Sequence, residues 1–281
     1  MMRDKHQHAG ADSGVTLTAI MAVWAGDRPH QIKAAIESVL NQSRQADEFV
    51  IVIDGPVDSQ ISACLAKFKT DRSIKIVALP QNIGRGMARN HGIKLATSDI
   101  IAMMDADDVS RPNRFQKQLS YLLRHDLDIV GGGIEEFDAE PGDLSVVREV
   151  PRDATSIARM VRFRSAFNHV TLMYRRSFFL QIGGYAALNF VEDWDFYLRS
   201  LHAGAQVANI ADVLVDVRRV LARRSSWPYF REEIGILGQA YSRGQLSLPI
   251  LGLSLLIRLA KLLVPSLFLK AVYKFVLRRH V

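Results

Sequence analysis

Apolar runs of strand length alternate with stretches of helical periodicity along most of the chain. Val15–Trp24 is apolar and β-branched, and it meets Gly26, Asp27, Arg28 and Pro29, a turn with proline placed to open a helix. That helix is predicted over Gln31–Gln42, with Ile32, Ala35, Ile36, Val39 and Leu40 on one face. Glu48–Asp54 reads as a short buried strand ending in an acid, Ser59–Lys69 as a helix and Ile74–Leu79 as another strand. Asn82–Ala96 supplies a glycine-containing loop and then a helix, and Asp99–Asp108 a fourth strand ending in carboxylates. A helix over Asn113–Leu123 leads into Asp128–Gly133, which reads as an edge strand before the pattern loosens over Glu135–Arg164. This alternation predicts an α/β fold, a mostly parallel mixed sheet flanked by helices, with ligands at the carboxyl ends of its strands.

Charge changes the picture only at the ends. The 281 residues carry a net charge of +7, and six Lys and Arg with no acid fall within Leu246–Val281, leaving +1 for the rest. Nucleic-acid binding needs basic residues gathered on the folded body, so it is excluded as an expectation. Residues 1–14 are polar, hold no apolar h-region and read as a disordered lead-in, which predicts a cytoplasmic protein. The single cysteine, Cys64, fits a reducing compartment and reads as a core residue.

Two strands ending in acids, at Asp54 and at Asp105, Asp107 and Asp108, would bring carboxylates to one rim of the sheet. Gathered like charges suit a divalent cation, and oxygen ligands on a loop suit Mg²⁺ or Mn²⁺. The plain alternative for the cluster is a solvated turn with Ser110 as N-cap and Pro112 in the first turn of a helix; for Asp54 it is an Asp-Gly turn. Downstream, Phe190, Trp194 and Leu198 form one apolar helical face, with Glu192, Asp193 and Asp195 at the helix opening. Asp193 is the candidate general base, against a simple complement to the helix dipole. His169, Glu192 and Trp194 are candidates for an acceptor pocket. Arg219, Arg223 and Arg224 are suited to a mobile lid on a diphosphate, or to a solvated basic loop.

Five segments, MAVWAGDRPHQIKAAIESVLNQS, VIDGP, LPQNIGRGMARNHGI, DIIAMMDADDVSRPNRFQKQL and VEDWDF, occur in this order. On them the chain resembles the family 2 glycosyltransferases over Val15–Val217, in the branch used for bacterial exopolysaccharide and O-antigen assembly, typified by amylovoran-type enzymes. The resemblance implies a GT-A fold, a nucleotide-sugar donor, a divalent cation and inversion at the anomeric carbon in one displacement. By position it implies a nucleoside contact from Asp54, the family's D-x-D at Asp105 and Asp107 with Asp107 on the metal, and a catalytic base at Asp193; Asn82, Asp105 and Arg223 are further candidates for donor contacts. Where the family often has two adjacent acids and a serine, this chain has Asp54, Gly55 and Pro56. Residues 223–227 lack the glutamine of the processive Q-x-x-R-W signature, so one sugar per acceptor is expected.

After a connection over residues 218–245, Leu246–Val281 reads as two helical pieces divided by Pro265. Arg258 and Lys261 interrupt the first before it reaches the ~20 apolar residues of a membrane span. Lys270, Lys274 and Arg278 stand four apart on the second, a basic amphipathic stripe suited to lying on anionic lipid. A helical pair packed on the catalytic body is the alternative. Membrane seating would suit a glycan acceptor on a polyprenyl diphosphate. Two rivals are a nicotinamide-dependent oxidoreductase, whose G-x-G-x-x-G the segment GRGMAR does not supply, and a membrane scaffold keeping an inactive transferase domain.

Overall fold

The computed structural model describes residues 14–219, 227–263 and 279–280, so Arg223 and the stripe of Lys270, Lys274 and Arg278 lie outside the described residues. The first half alternates as expected: β1 (Leu17–Val23), α1 (Pro29–Leu40), β2 (Glu48–Ile53), α2 (Ser59–Ala66), β3 (Ile74–Ala78), α3 (Arg85–Leu95) and β4 (Ile100–Asp105). There follow β5 (Val109–Ser110), α4 (Arg114–Arg124), β6 (Ile129–Phe137), β7 (Val146–Arg148), α5 (Ala154–Val161), a 3₁₀ turn (His169–Thr171), β8 (Met173–Arg175) and α6 (Arg176–Gln181). α7 (Glu192–His202), β9 (Val207–Arg218), α8 (Trp227–Ser242), α9 (Leu248–Leu263) and β10 (Arg279–His280) complete the described elements.

β3, β2, β1 and β4 run parallel, then β8 and β6 continue the sheet antiparallel to their neighbours, with β9 parallel to β6. Helices cover both faces. Ile32, Ile61, Phe115 and Leu119 pack on one side, and Ala88, Ile93, Phe196 and Leu237 on the other. Strands buried on both faces must be apolar throughout, which is why β1, β2 and β4 read as unbroken hydrophobic runs rather than alternating ones.

The glycine-rich strand is a correction to the sequence reading. β6 is not at an edge but inside the sheet, bonded to β7, β8 and β9. Its glycines answer to crowding: a Cβ on Gly131 would sit 2.3 Å from Asn209 Oδ1, and one on Gly132 2.5 Å from Leu214 Cδ1. Asn209 cannot swing aside, because its amide donates to the carbonyls of Pro151 (2.7 Å) and Ala166 (3.1 Å). Gly131→Ala is therefore expected to lower stability by about 1–3 kcal/mol in urea unfolding; an unchanged midpoint would show the packing to be loose.

Candidate active site

The register of the parallel strands carries the acids to one rim. β1 aligns Val23 with Ile53 of β2 and Ala22 with Asp105 of β4, so Asp54 and Asp105 end the strands on either side of β1. Asp27, in the turn after β1, joins them. Its carboxylate accepts the Trp24 N–H at 2.9 Å and is pushed up to about 6 by burial, with Asp107 and Asp105 adding to the rise. Sequence reasoning treated Asp27 as part of a turn, yet the rule applied to Asp54, an acid just past a buried strand, marks it equally.

Within the cluster the acids differ. Burial opposes the charge of Asp105, but the Arg89 guanidinium bonded to it holds its carboxyl below the usual range. Asp107 is pushed up by burial and by Asp105, and Asp108, which is buried, is pushed up further by burial and both neighbours. Asp108 accepts the backbone N–H of Arg218 at 2.9 Å. The solvated-turn alternative is corrected here: Ser110 lies in β5 against Val215 of β9 and caps nothing, and α4 starts after Asn113. Arg114, entirely buried, underlies the rim and donates to the Met103 carbonyl at 2.7 Å.

Asp54 is buried at 3% exposure, and both carboxylate oxygens are engaged by backbone N–H groups, Ile83 at 2.7 Å and Gly84 at 3.1 Å. Asn82 is exposed and its amide donates to the Asp54 carbonyl at 3.1 Å. Asp54 thus clasps the loop leading into α3. Gly55 has φ +85°, and a Cβ there would lie 2.5 Å from the Asn82 nitrogen, so this close approach requires glycine.

Arg89 was missed by sequence reasoning and organises the site. It is 2% exposed, bonds Asp105, and places its other terminal nitrogen 3.5 Å from Glu192. Arg85, one turn earlier on α3, reaches the same Glu192 oxygen at 3.1 Å. The signal was available: two arginines four apart on a helix that follows the donor-side loop share a face.

Of the three acids opening α7, Glu192 is held by these arginines and buried Asp195 pairs with Arg199 at 2.8 Å. Asp193 is the one not fully buried, and its Oδ1 accepts the Trp194 N–H at 2.8 Å. The segment entering α7 is fixed from α8, where Glu232 accepts the N–H groups of Asn189 (3.0 Å) and Phe190 (2.9 Å). Between that segment and α8 lies an open cavity of about 390 Å³ lined by Leu188, Phe190, Pro228, Arg231 and Ile236 among others.

His169 reaches the cluster. Its Nε2 is 3.0 Å from the Tyr185 hydroxyl, and burial, then Arg89, hold the imidazole well below its ordinary pKa, hence neutral. Trp194, expected at an acceptor pocket, packs in the core. It is 3% exposed, its indole N–H donates to the Val161 carbonyl at 2.6 Å, and Arg258 lies over its ring at 4.5 Å. The apolar periodicity that put Trp194 on the face of Phe190 and Leu198 already described a core residue. Glu192, buried at 2%, supports the site without facing an open pocket. Arg219 is tied to Asp138.

Among the described residues no group of three or more His, Cys, Asp or Glu side chains is arranged to hold a metal ion. The donor set at the rim is nonetheless of the right chemistry. Asp107, raised by burial and then by Asp105, and the Asp105 oxygen not bonded to Arg89 are hard oxygen donors whose repulsion a divalent cation would relieve.

A mixed sheet covered by helices on both faces, with acids at the carboxyl rim of its parallel strands and the partly buried Asp193 next in sequence to the arginine-held Glu192, describes an α/β ligand site at the strand ends. The model of "Glycosyl transferase family 2" matches residues 20–186, and the chain belongs to that family and is a glycosyltransferase. The match ends before Asp193. Among similar proteins, the Escherichia coli UDP-Gal:alpha-D-GlcNAc-diphosphoundecaprenol beta-1,3-galactosyltransferase is 30% identical, with 96% of this chain and 99% of that protein covered. The amylovoran biosynthesis glycosyltransferase AmsE of Erwinia amylovora is 30% identical over 77% of this chain and 82% of its own. Mannosyltransferase PcManGT from Pyrobaculum calidifontis, solved with GDP-Man and Mn²⁺, superposes with a TM-score of 0.63 at 16% identity over 85% of this chain and 68% of its own. The fold is accordingly GT-A.

Proposed function

We propose that the protein transfers one sugar, with inversion, from a UDP-sugar to a glycan acceptor carried on a polyprenyl diphosphate, in exopolysaccharide or O-antigen assembly. The observation that carries this reading is the bridge Asp105–Arg89–Glu192, which joins the strand-end acids to the residue next to Asp193. The bridge supports a donor site and a base that share one cleft. Asp193 accepts the proton of the acceptor hydroxyl as its oxygen bonds to the anomeric carbon and the bond from that carbon to the diphosphate breaks. Asp107, with Asp105, would hold Mg²⁺ or Mn²⁺, which when bound neutralises the charge of the departing nucleoside diphosphate. Asp54 and Asn82 shape the nucleoside end through the loop they clasp. The cavity beside Phe190 and Arg231, which combines apolar walls with a cation, takes the acceptor in place of a pocket at Trp194.

The E. coli relative, whose printed substrates are UDP-Gal and a diphosphoundecaprenol-linked sugar, supports the donor and acceptor classes. An acceptor of that kind places the enzyme at an anionic membrane surface on the cytoplasmic side, seated through its C-terminal segment. The purified full chain is expected to hydrolyse a UDP-sugar slowly in the presence of Mn²⁺. Asp107→Ala is expected to lower that rate by ~10²-fold or more, the scale on which electrostatic stabilisation of a leaving group acts. Undiminished hydrolysis in the variant would remove Asp107 from the metal site, and a folded but inactive scaffold would show no hydrolysis in either form.

A further inference from the structure

α9 is apolar on both sides: inward, Ile250, Leu251 and Leu255 pack against the core around the buried Ser254 and Arg258. Outward, Leu248, Leu253, Leu256, Ile257 and Leu259 are 63%, 50%, 65%, 37% and 49% exposed. An amphipathic helix on a water-soluble body turns a polar face outward, and this one does not. The inward polar groups are satisfied by protein. Ser254 donates to the Arg162 carbonyl at 3.2 Å, and Arg258 donates to the Phe163 carbonyl at 2.9 Å and pairs with Glu233 of α8 at 3.3 Å. Arg258, whose charge was expected to interrupt the apolar run, points into the protein and leaves the outer face leucine and isoleucine. Exposed large apolar side chains ordinarily scatter singly, and five on one short helix mark a surface made for a partner.

We propose that this face is seated in the interfacial layer of an anionic lipid bilayer, with α9 lying in its plane. The inference rests on the membrane-bound acceptor reading and goes beyond it in naming α9 as the seat. The 16 described residues of α9 extend about 24 Å, and no helix among the described residues is long and apolar enough to cross a membrane, which favours an in-plane seat. Charge selects lipid over a second copy of the chain. From Leu246 onward the sequence holds six Lys and Arg and no acid; with Arg258 paired to Glu233, five basic residues remain in this segment, a composition that anionic headgroups complement and a second copy of the same segment repels. At its two ends the neighbouring helix α8 carries exposed Trp227 and Tyr241, rings whose apolar body and polar edge suit the headgroup level.

The test floats the full chain with vesicles of phosphatidylcholine, with and without phosphatidylglycerol, and compares it with the triple variant Leu253→Ser, Leu256→Ser, Leu259→Ser. These side chains are outward, so the variant is expected to keep its melting temperature and its Mn²⁺-dependent hydrolysis of the donor. Its partition onto vesicles containing phosphatidylglycerol is expected to fall about tenfold or more. A variant that floats like the wild type overturns the seat on α9 while leaving membrane binding in place. A wild-type chain that does not float overturns membrane binding and the seat together, and retained donor hydrolysis in that case spares the transferase reading. A wild-type dimer that the substitutions convert to a monomer, with flotation unchanged, assigns the face to a second copy and overturns lipid as its occupant.

Discussion

Asp193→Asn is expected to slow sugar transfer by ~10²–10⁴-fold, the usual worth of a positioned general base. Asparagine matches the shape of the side chain, and its Oδ1 can still accept the Trp194 N–H now held at 2.8 Å, so the opening of α7 is kept. What is lost is the capacity to take a proton. Donor affinity, read as thermal stabilisation by a UDP-sugar with Mn²⁺, should therefore stay near wild type while kcat falls. The same substitution at Asp195 tests the alternative of a mere complement to the helix dipole. Asp195 is buried against Arg199 and Arg243, so its loss should lower stability and leave the chemical step largely intact. Transfer by Asp193→Asn at a rate close to wild type would remove Asp193 from the reaction.

How far the sequence could be read divides along a physical line. Strands β1 to β4 and their helices were legible because each satisfies a local rule: an apolar run of strand length, a turn, then a helical face such as Ile32, Ala35, Ile36 and Val39, all of which are buried. The acids of the rim were legible for the same reason, since parallel strands deliver whatever follows them to one edge. β6 was misread because its glycines answer to Asn209 and Leu214, residues some eighty positions away that no window around Gly131 contains. Trp194 was misread because burial and pocket lining look alike in a single apolar residue. The inward turn of Arg258 depends on Glu233 and on the carbonyl of Phe163, and so on how two helices dock. Arg89 belongs to this second kind, since its two partners lie on different elements.

Arg89→Met is expected to destabilise the fold by about 3–5 kcal/mol, the cost of stranding a buried charge by removing its partner. Two carboxylates share this guanidinium, and both would lose it: Asp105, already crowded by Asp107 and Asp108, and Glu192, which is 2% exposed and keeps only Arg85. Arg89→Lys should fall between, because one ammonium cannot offer two separate terminal nitrogens to acids on different elements. The double variant Arg89→Met, Glu192→Gln separates shared charge from simple packing. If the arginine chiefly balances the acids, neutralising Glu192 in the Arg89→Met background should restore part of the lost stability, and the two single costs should sum to more than the double one. Costs that add would reduce Arg89 to a space-filling side chain, and the link between the metal-side acids and the helix of the base would then have to be sought elsewhere. Partial recovery of stability in the double variant without recovery of transfer would show that the bridge also sets where Asp193 stands, because with both charges gone no ion pair ties the opening of α7 to the strand ends.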